Sequence, residues 1–98
     1  MSWTVIFSSK AAKQIKRLPE DRRASLKFLI KDIQEGGPVT VQWPNFGKII
    51  GKDDCYHCHL KKGCPTYVAL WRVADRAIKL VEIRYVGTHE GADYRRIC

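Results

Sequence analysis

The hydrophobic pattern of this chain changes its period near residue 48, and that change limits the folds open to it. Before this point apolar residues recur three and four positions apart, as in a helix; after it they alternate, as in a strand. Amphipathic helices need an apolar surface, and a sheet of this kind needs one face covered. The pattern therefore predicts a layer of helices packed on one face of a sheet.

The first third of the chain is predicted to be a strand followed by a helical hairpin. Residues 3–7 form the predicted strand, and Ser8 or Ser9 can cap a helix that runs to about Leu18. Pro19 suits the start of a second helix, which the sequence Gly-Gly-Pro at 36–38 ends. Apolar residues at helical spacing predict the buried side of the hairpin: Ala11, Ile15, Leu18, Leu26, Leu29, Ile30 and Ile33.

The second half is predicted to be an antiparallel meander of short strands. The predicted strands cover residues 48–50, 55–60, 66–73 and 78–86, after a loop at 38–47, and residues 92–98 predict at most a turn of helix. The fold class is therefore α+β: an N-terminal strand and a two-helix hairpin packed on one face of a mainly antiparallel sheet of about four or five strands. Residues 1–98 form one domain. The other sheet face is expected to be concave, partly polar and open to a substrate.

The charge of the chain predicts a polyanionic partner. Eighteen Lys and Arg against ten Asp and Glu leave a formal net charge of +8. Such an excess favours nucleic acid, an anionic membrane surface or an acidic protein. The sequence shows no signal peptide and no apolar run of the ~18 residues that a membrane span needs. We therefore expect a cytoplasmic protein with reduced cysteines, which behave as small, half-buried hydrophobes.

The stretch Cys55-Tyr56-His57-Cys58-His59 has the letters of a covalent haem-attachment motif. The same stretch, with Cys64 nearby, could instead form a zinc site or a disulfide. On a strand, however, Cys55, His57 and His59 share one face and Cys58 lies on the other, so one haem or one metal cannot take both cysteines. We therefore predict neither haem nor metal.

The two histidines of this stretch are candidates for acid–base chemistry. His57 and His59 lie two residues apart on one strand, so both imidazoles can face one bound group. An unperturbed histidine pKa near ~6.5 lets each ring give or take a proton near neutral pH. The competing interpretation is a pair of surface histidines with no chemical role.

The chain resembles the RelE/ParE superfamily of bacterial toxins. The resemblance rests on the segments CYHCHL, PTYVALWRV and IKLVEIRYVGTHEGADY, which follow a strand and a helical hairpin. It covers nearly the whole chain and implies a helical hairpin on a mainly antiparallel sheet. RelE-like members enter the ribosomal A site and cut mRNA, whereas ParE-like members poison DNA gyrase. A cognate antitoxin protein neutralises either kind.

The resemblance also implies a set of site residues. RelE-type toxins place two basic residues on the strand after the helices, here His57 and His59, and a basic residue or histidine just after the last strand, here His89. A tyrosine often follows, here Tyr94. An arginine on the middle strand usually holds the scissile phosphate; Arg72 is the nearest candidate and Arg84 the second. The other predicted phosphate contacts are Lys61, Lys62, Arg95 and Arg96.

Cleavage by such a site needs no metal, because RNA carries its own nucleophile in the 2′-OH. We expect His57 or His59 to act as base, His89 as acid, and Tyr94 to stack on a base or share in proton transfer. As structural alternatives, His89 could only turn the chain and Tyr94 could only pack the tail. Two other functions remain open: a ParE-like gyrase poison without catalysis, and a degenerate toxin kept as an antitoxin partner.

The positions of two tryptophans in the sequence predict their roles. Trp71 lies on a predicted strand and is expected to be core rather than a platform for bases. Trp43, beside Pro44 in the long loop, could anchor that loop or contact a partner.

Overall fold

A computed structural model of the chain describes residues 2–61 and 65–98. The elements run in the order β1 (Thr4–Phe7), α1 (Ser9–Ile15), α2 (Glu20–Gly36), β2 (Gly47–Lys48), β3 (Cys55–Lys61), β4 (Tyr67–Asp75), β5 (Leu80–Thr88) and α3 (Tyr94–Ile97). The predicted α+β class and the order of its elements are confirmed. Several boundaries differ by a few residues. α1 ends at Ile15 rather than near Leu18, β2 overlaps the predicted 48–50 only at Lys48, β3 and β4 end later than predicted, and β5 is shifted by two residues towards the end of the chain.

The five strands form one mixed sheet in the order β1-β5-β4-β3-β2. The strands β2 to β5 pair antiparallel, as the meander predicts. β1 pairs parallel with β5, with Thr4 opposite Leu80 and Phe7 opposite Ile83. The hairpin α1–α2 follows β1 and packs across the sheet, so the first and last strands of the chain become neighbours.

The helices bury the predicted apolar residues against one sheet face. Ala11 and Leu29 are fully buried, and Ile83 and Trp71 meet them from the sheet. The indole N–H of Trp71 donates a hydrogen bond of 3.0 Å to the carbonyl of Pro38, so its role as a core residue is confirmed. Trp43 anchors its loop to α2, because its indole N–H donates to Asp32 Oδ2 at 2.7 Å.

The start of α1 is joined to β5 by polar contacts. Ser8 caps the helix by accepting from the N–H of Ala11 at 3.1 Å, as predicted, and its hydroxyl donates to the carbonyl of Arg84. Gln14 Oε1 accepts from the N–H of Val86 at 2.9 Å. β1 ends at Phe7, opposite Ile83, and the side chains of Ser8 and Gln14 bond the backbone of β5 beyond that point.

The second sheet face carries an apolar cluster of its own. Ile49, Cys55, Val68, Leu70 and Tyr85 are buried there. The tail of the chain packs against them through Ala92, Tyr94, Ile97 and Cys98. The prediction of an open, partly polar face is therefore wrong for the centre of this face, because the tail covers it with apolar side chains.

Candidate active site

His57 and His59 project from β3 on the same face as Cys55, as the strand periodicity predicts. In the ladder, His57 lies opposite Leu70 and His59 opposite Val68, and both partners belong to the second-face cluster. Cys58 points into the helix-side core and is fully buried. The two cysteines of the haem-like motif therefore lie on opposite faces of the sheet.

His89 follows the last residue of β5 in a tight turn. Its backbone N–H donates to the carbonyl of Thr66 at 2.9 Å, which holds the turn against the start of β4. The hydroxyl of Tyr85 donates to the carbonyl of Thr88 at 2.9 Å and fixes the turn from below. The side chain of His89 is exposed.

Tyr94 is the first residue of α3 and stands over His57. Asp93 caps this helix through a hydrogen bond of 3.3 Å from the N–H of Arg96. The ring centroids of Tyr94 and His57 are 4.9 Å apart. The interpretation of Tyr94 as a packing residue of the tail is thus partly confirmed, because its ring belongs to the apolar cluster against which the tail packs.

The fold brings the four predicted side chains together from three parts of the chain. The centroids of His59 and His89 are 5.7 Å apart, and those of His89 and Tyr94 are 6.2 Å apart. Together with the contact between His57 and Tyr94, these distances define one continuous group, here called the histidine cluster: His57, His59, His89 and Tyr94. Such a group can present several proton donors and acceptors to one bound molecule.

The environment of the cluster shifts the pKa values of three of its members. Burial lowers the pKa of His57, and the charges of His59 and His89 lower it further. Burial and then the charge of His89 lower the pKa of His59. Burial raises the pKa of Tyr94, with further contributions from Cys58 and Tyr85. At neutral pH these shifts favour two neutral imidazoles and an intact phenol.

His57 is the more enclosed of the two strand histidines. Its Nδ1 is buried and has no hydrogen-bond partner among the described residues. Its Nε2 lies close to Gly47 on β2, where an added Cβ would come within 3.2 Å. With Tyr94 above it, His57 has little room for a substrate, whereas His59 faces the exposed His89.

The predicted arginines have different surroundings. Arg72 is exposed and lies opposite Cys55 in the ladder, so it shares the face of the histidines. Arg84 donates to Glu82 Oε1 at 2.8 Å and to the carbonyl of Ile97 at 3.1 Å, so its charge is already partly used in holding the tail. Arg96 is exposed in a groove of about 420 Å³ lined also by Lys10 and Arg84.

The side chains of three predicted phosphate contacts lie outside the part of the chain that the structure describes. Lys61 ends β3 and Arg95 lies in α3, and their side chains are outside the described part of the chain. Lys62, and the zinc candidate Cys64, lie outside the described residues altogether. Within residues 2–61 and 65–98, no group of three or more His, Cys, Asp or Glu side chains could hold a metal ion.

The expectation of reduced cysteines is wrong for two of them. Cys55 forms a disulfide with Cys98, with their Cα atoms 6.4 Å apart. The free thiol of Cys58 is buried, and burial raises its pKa to about 12. The bonded pair is separated by 43 positions in the sequence, and no local pattern pairs residues so far apart.

Sequence reasoning also missed the residues that support the cluster. Gly47 leaves room for His57, and Tyr85 holds the turn that carries His89. The hydroxyl of Tyr85 would lie 2.8 Å from a Cβ at either Gly87 or Gly91. The available sequence signal for this turn was the pair of glycines on either side of Thr-His-Glu at 88–90. Glycine is needed where another group comes this close to the backbone.

Comparison with solved structures identifies the fold. The toxin RelE of E. coli, as a double mutant in the free state, superposes with a TM-score of 0.75 at 22% identity over 98% of this chain and 93% of that one. A chain of the archaeal RelE–RelB complex from Pyrococcus horikoshii gives 0.71 at 21% identity, covering 94% and 100%. The YoeB dimer from Staphylococcus aureus gives 0.70 at 15% identity, covering 91% and 99%. The chain therefore has a RelE-like toxin fold.

The likeness is one of structure rather than of sequence. No protein-family model matches the chain, and a search of curated proteins found no match.

Proposed function

We propose that this chain is the toxin of a type II toxin–antitoxin system and cleaves mRNA on the ribosome by metal-independent acid–base chemistry. The observation that carries the proposal is the histidine cluster on a RelE-like fold. Three imidazoles and a phenol from β3, the turn after β5 and α3 form a chain of ring contacts in which each centroid lies within 6.2 Å of at least one other. A purely binding protein has no need for such a set of proton donors and acceptors.

The reaction follows from the chemistry of RNA. The 2′-oxygen attacks the adjacent phosphorus while the bond from phosphorus to the 5′-oxygen breaks. A base takes the 2′-OH proton and an acid protonates the leaving oxygen, so the products are a 2′,3′-cyclic phosphate and a 5′-hydroxyl. Each positioned group contributes roughly 10²–10⁴ in rate.

The geometry favours His59 as the base and His89 as the acid. His59 has a lowered pKa, so it is ready to accept a proton at neutral pH, and its ring faces His89 at 5.7 Å. Both rings are open to a substrate from one side, whereas Tyr94 covers His57. His57 then supports Tyr94, whose ring offers a stacking surface for an unpaired base.

Positive charge on the same sheet face as the cluster and on the tail supports binding of the phosphate. Arg72 shares the face of the histidines, and Arg96 lies exposed on α3. Lys61, Lys62 and Arg95 are further candidates by sequence, whereas Arg84 serves mainly the tail. Cations placed before the reaction stabilise the charge that develops on the phosphorane oxygens.

A cognate antitoxin and the ribosome are the proposed partners, in the cytoplasm. Support comes from the similar structures, one of which is the RelE–RelB complex of Pyrococcus horikoshii. Support also comes from the net charge of +8, which suits ribosomal RNA. Among the described residues, no helix is both long and apolar enough to cross a membrane.

The test is primer extension on a translated message after brief induction. Wild type is expected to stop growth and to leave new ends with a 5′-hydroxyl, while His89→Ala and His59→Gln lose at least ~10² of the cleavage rate. Lys27→Gln, an exposed change on α2, is the matched control and keeps the activity. Cleavage that survives His89→Ala refutes the site, and intact mRNA with a DNA damage response favours the gyrase-poison alternative.

A further inference from the structure

The short helix α3 depends on the rest of the molecule for its position. It has only four residues, Tyr94–Ile97, and an isolated helix below about 12 residues is marginal in water. Its place on the second sheet face is therefore set by its tertiary contacts. Because Tyr94 belongs to this helix, the same contacts decide whether the histidine cluster is complete.

Few contacts hold this tail, here meaning residues 92–98. Ala92 and Ile97 pack on the second-face cluster, and the carbonyl of Ile97 accepts a hydrogen bond from Arg84. The only covalent cross-link of the tail among the described residues is the disulfide from Cys98 to Cys55. Cys55 begins β3, on the same face as His57 and two residues before it.

We propose that the Cys55–Cys98 disulfide is the positioning bond for Tyr94, so that the oxidised protein cleaves RNA faster than the reduced form that a reducing cytoplasm favours. This inference rests on the proposed RNA cleavage. The disulfide ties the end of α3 to the strand that carries His57, and Tyr94 at the other end of the helix then stands 4.9 Å from that ring. Opening the bond leaves a four-residue helix held by the hydrogen bond from the Arg84 side chain to the carbonyl of Ile97 and by apolar contacts.

The disulfide acts on both the unfolded chain and the folded tail. A link between residues 43 positions apart lowers the entropy of the unfolded chain, and in the folded protein it holds the end of the tail against the start of β3. The tail lies at one end of the loop that this link closes. Without the link, its apolar side chains and the hydrogen bond from Arg84 to Ile97 have to oppose the entropy gained when the tail leaves the sheet.

A dithiol can open the bond by ordinary exchange. One thiolate of the dithiol attacks Sγ of Cys98, forms a mixed disulfide and expels the thiolate of Cys55. The second thiolate of the dithiol then attacks the dithiol sulfur that is bonded to Cys98. This step closes a cyclic disulfide in the reagent and releases the thiolate of Cys98. Two electrons pass to the protein, and both thiolates take up protons. Cys98 is the entry point because Cys55 is buried whereas Cys98 is partly exposed.

The third described cysteine provides a matched control. Cys58 is fully buried in the helix-side core, and its raised pKa of about 12 keeps it a thiol. It therefore takes no part in exchange, since the thiolate is the reactive form. Replacing Cys58 with alanine removes the free thiol and leaves the tie of the tail intact.

The experiment compares the oxidised protein with the same protein in dithiothreitol, using a short RNA or a translated message as substrate. Reduction, or Cys98→Ser, is expected to lower the cleavage rate at least ~10-fold, towards that of Tyr94→Ala. The double variant Cys98→Ser with Tyr94→Ala should lie within about twofold of Tyr94→Ala, because both changes remove the same group. Cys58→Ala should keep both its activity and its sensitivity to dithiothreitol.

A second readout does not depend on catalysis. Titration of His57 by NMR should show its pKa rising towards the ordinary value when the bond is opened, because Tyr94 no longer buries the ring beside His59 and His89. An unchanged His57 titration together with an unchanged rate overturns the inference. A cleavage rate that rises on reduction also overturns the inference, since the tail would then block access of the substrate to the site. If no form cleaves RNA, the proposed function fails, and the His57 titration alone decides the positioning.

Discussion

The three histidines differ in what surrounds each ring, and the proposed chemistry of each rests on this difference. His57 is enclosed by Gly47 and Tyr94, and its Nδ1 has no hydrogen-bond partner among the described residues. His59 is less enclosed and feels the charge of His89. Sequence spacing treats His57 and His59 as equivalent, whereas their neighbours leave His59 the more accessible ring and therefore the proposed base.

The pH profile of cleavage should identify the base. The pKa of His59 is lowered, so its neutral form persists to lower pH, and the acidic limb of kcat/KM should have its midpoint below the ordinary histidine value of 6.5. His59→Gln should remove this limb along with most of the activity. His57→Gln is the comparison: if the limb disappears there instead, the base is His57.

At the scale of elements, the connection from β5 to α3 carries the candidate site. Tyr85 on β5 is buried, and its hydroxyl reaches the carbonyl of Thr88, so the turn bearing His89 is fixed to the strand before it. This approach is possible because Gly87 and Gly91 have no Cβ. The turn after β5, as well as α3, therefore holds a residue of the candidate site in a defined position.

Gly87→Ala should destabilise the protein by about 1–3 kcal/mol, because its Cβ would lie 2.8 Å from the Tyr85 hydroxyl. Gly36→Ala, at the end of α2 with nothing within 4 Å, should be neutral or stabilising by up to about 1 kcal/mol. Urea unfolding of the oxidised protein measures both. In a Tyr85→Phe background the Gly87→Ala penalty should shrink; an equal penalty there would mean that the hydroxyl is not the obstacle.

For the molecule as a whole, charge and fold give its two faces different roles. The helices cover one face and leave charged residues such as Lys27 and Lys31 exposed on the outside of α2. The other face carries the histidine cluster, with Arg72 beside it and Arg96 on the tail. A net charge of +8 favours RNA on any side, whereas the proposed function requires it on the face of the cluster.

Salt dependence of binding to a single-stranded RNA should separate the two faces. Each phosphate contact contributes about 0.7 to the slope of log K against log salt, so Arg72→Gln with Arg96→Gln should reduce the slope by about 1.4. Lys27→Gln with Lys31→Gln removes the same charge from the helix side and should change the slope much less. Equal slopes for the two pairs would show that RNA is bound without preference for the cluster face.

The sequence by itself determined the element types and the face on which each side chain lies. Helical spacing predicted the buried side of the hairpin, and strand alternation placed His57 and His59 together and Cys58 opposite them. These features are local, because periods of 3.6 and 2 are set by backbone geometry over a few residues. The residues of the histidine cluster were identified by the resemblance to RelE-like toxins, and their catalytic roles stay a prediction.

Only the tertiary structure decided which elements meet. The parallel pairing of β1 with β5, the apolar cluster under the tail and the disulfide from Cys55 to Cys98 all join residues far apart in the sequence. Periodicity states which face of an element is apolar, but not which distant surface covers it. The enclosure of His57, the shifts in pKa and the place of Tyr94 follow from that covering, so the sequence alone could not supply them.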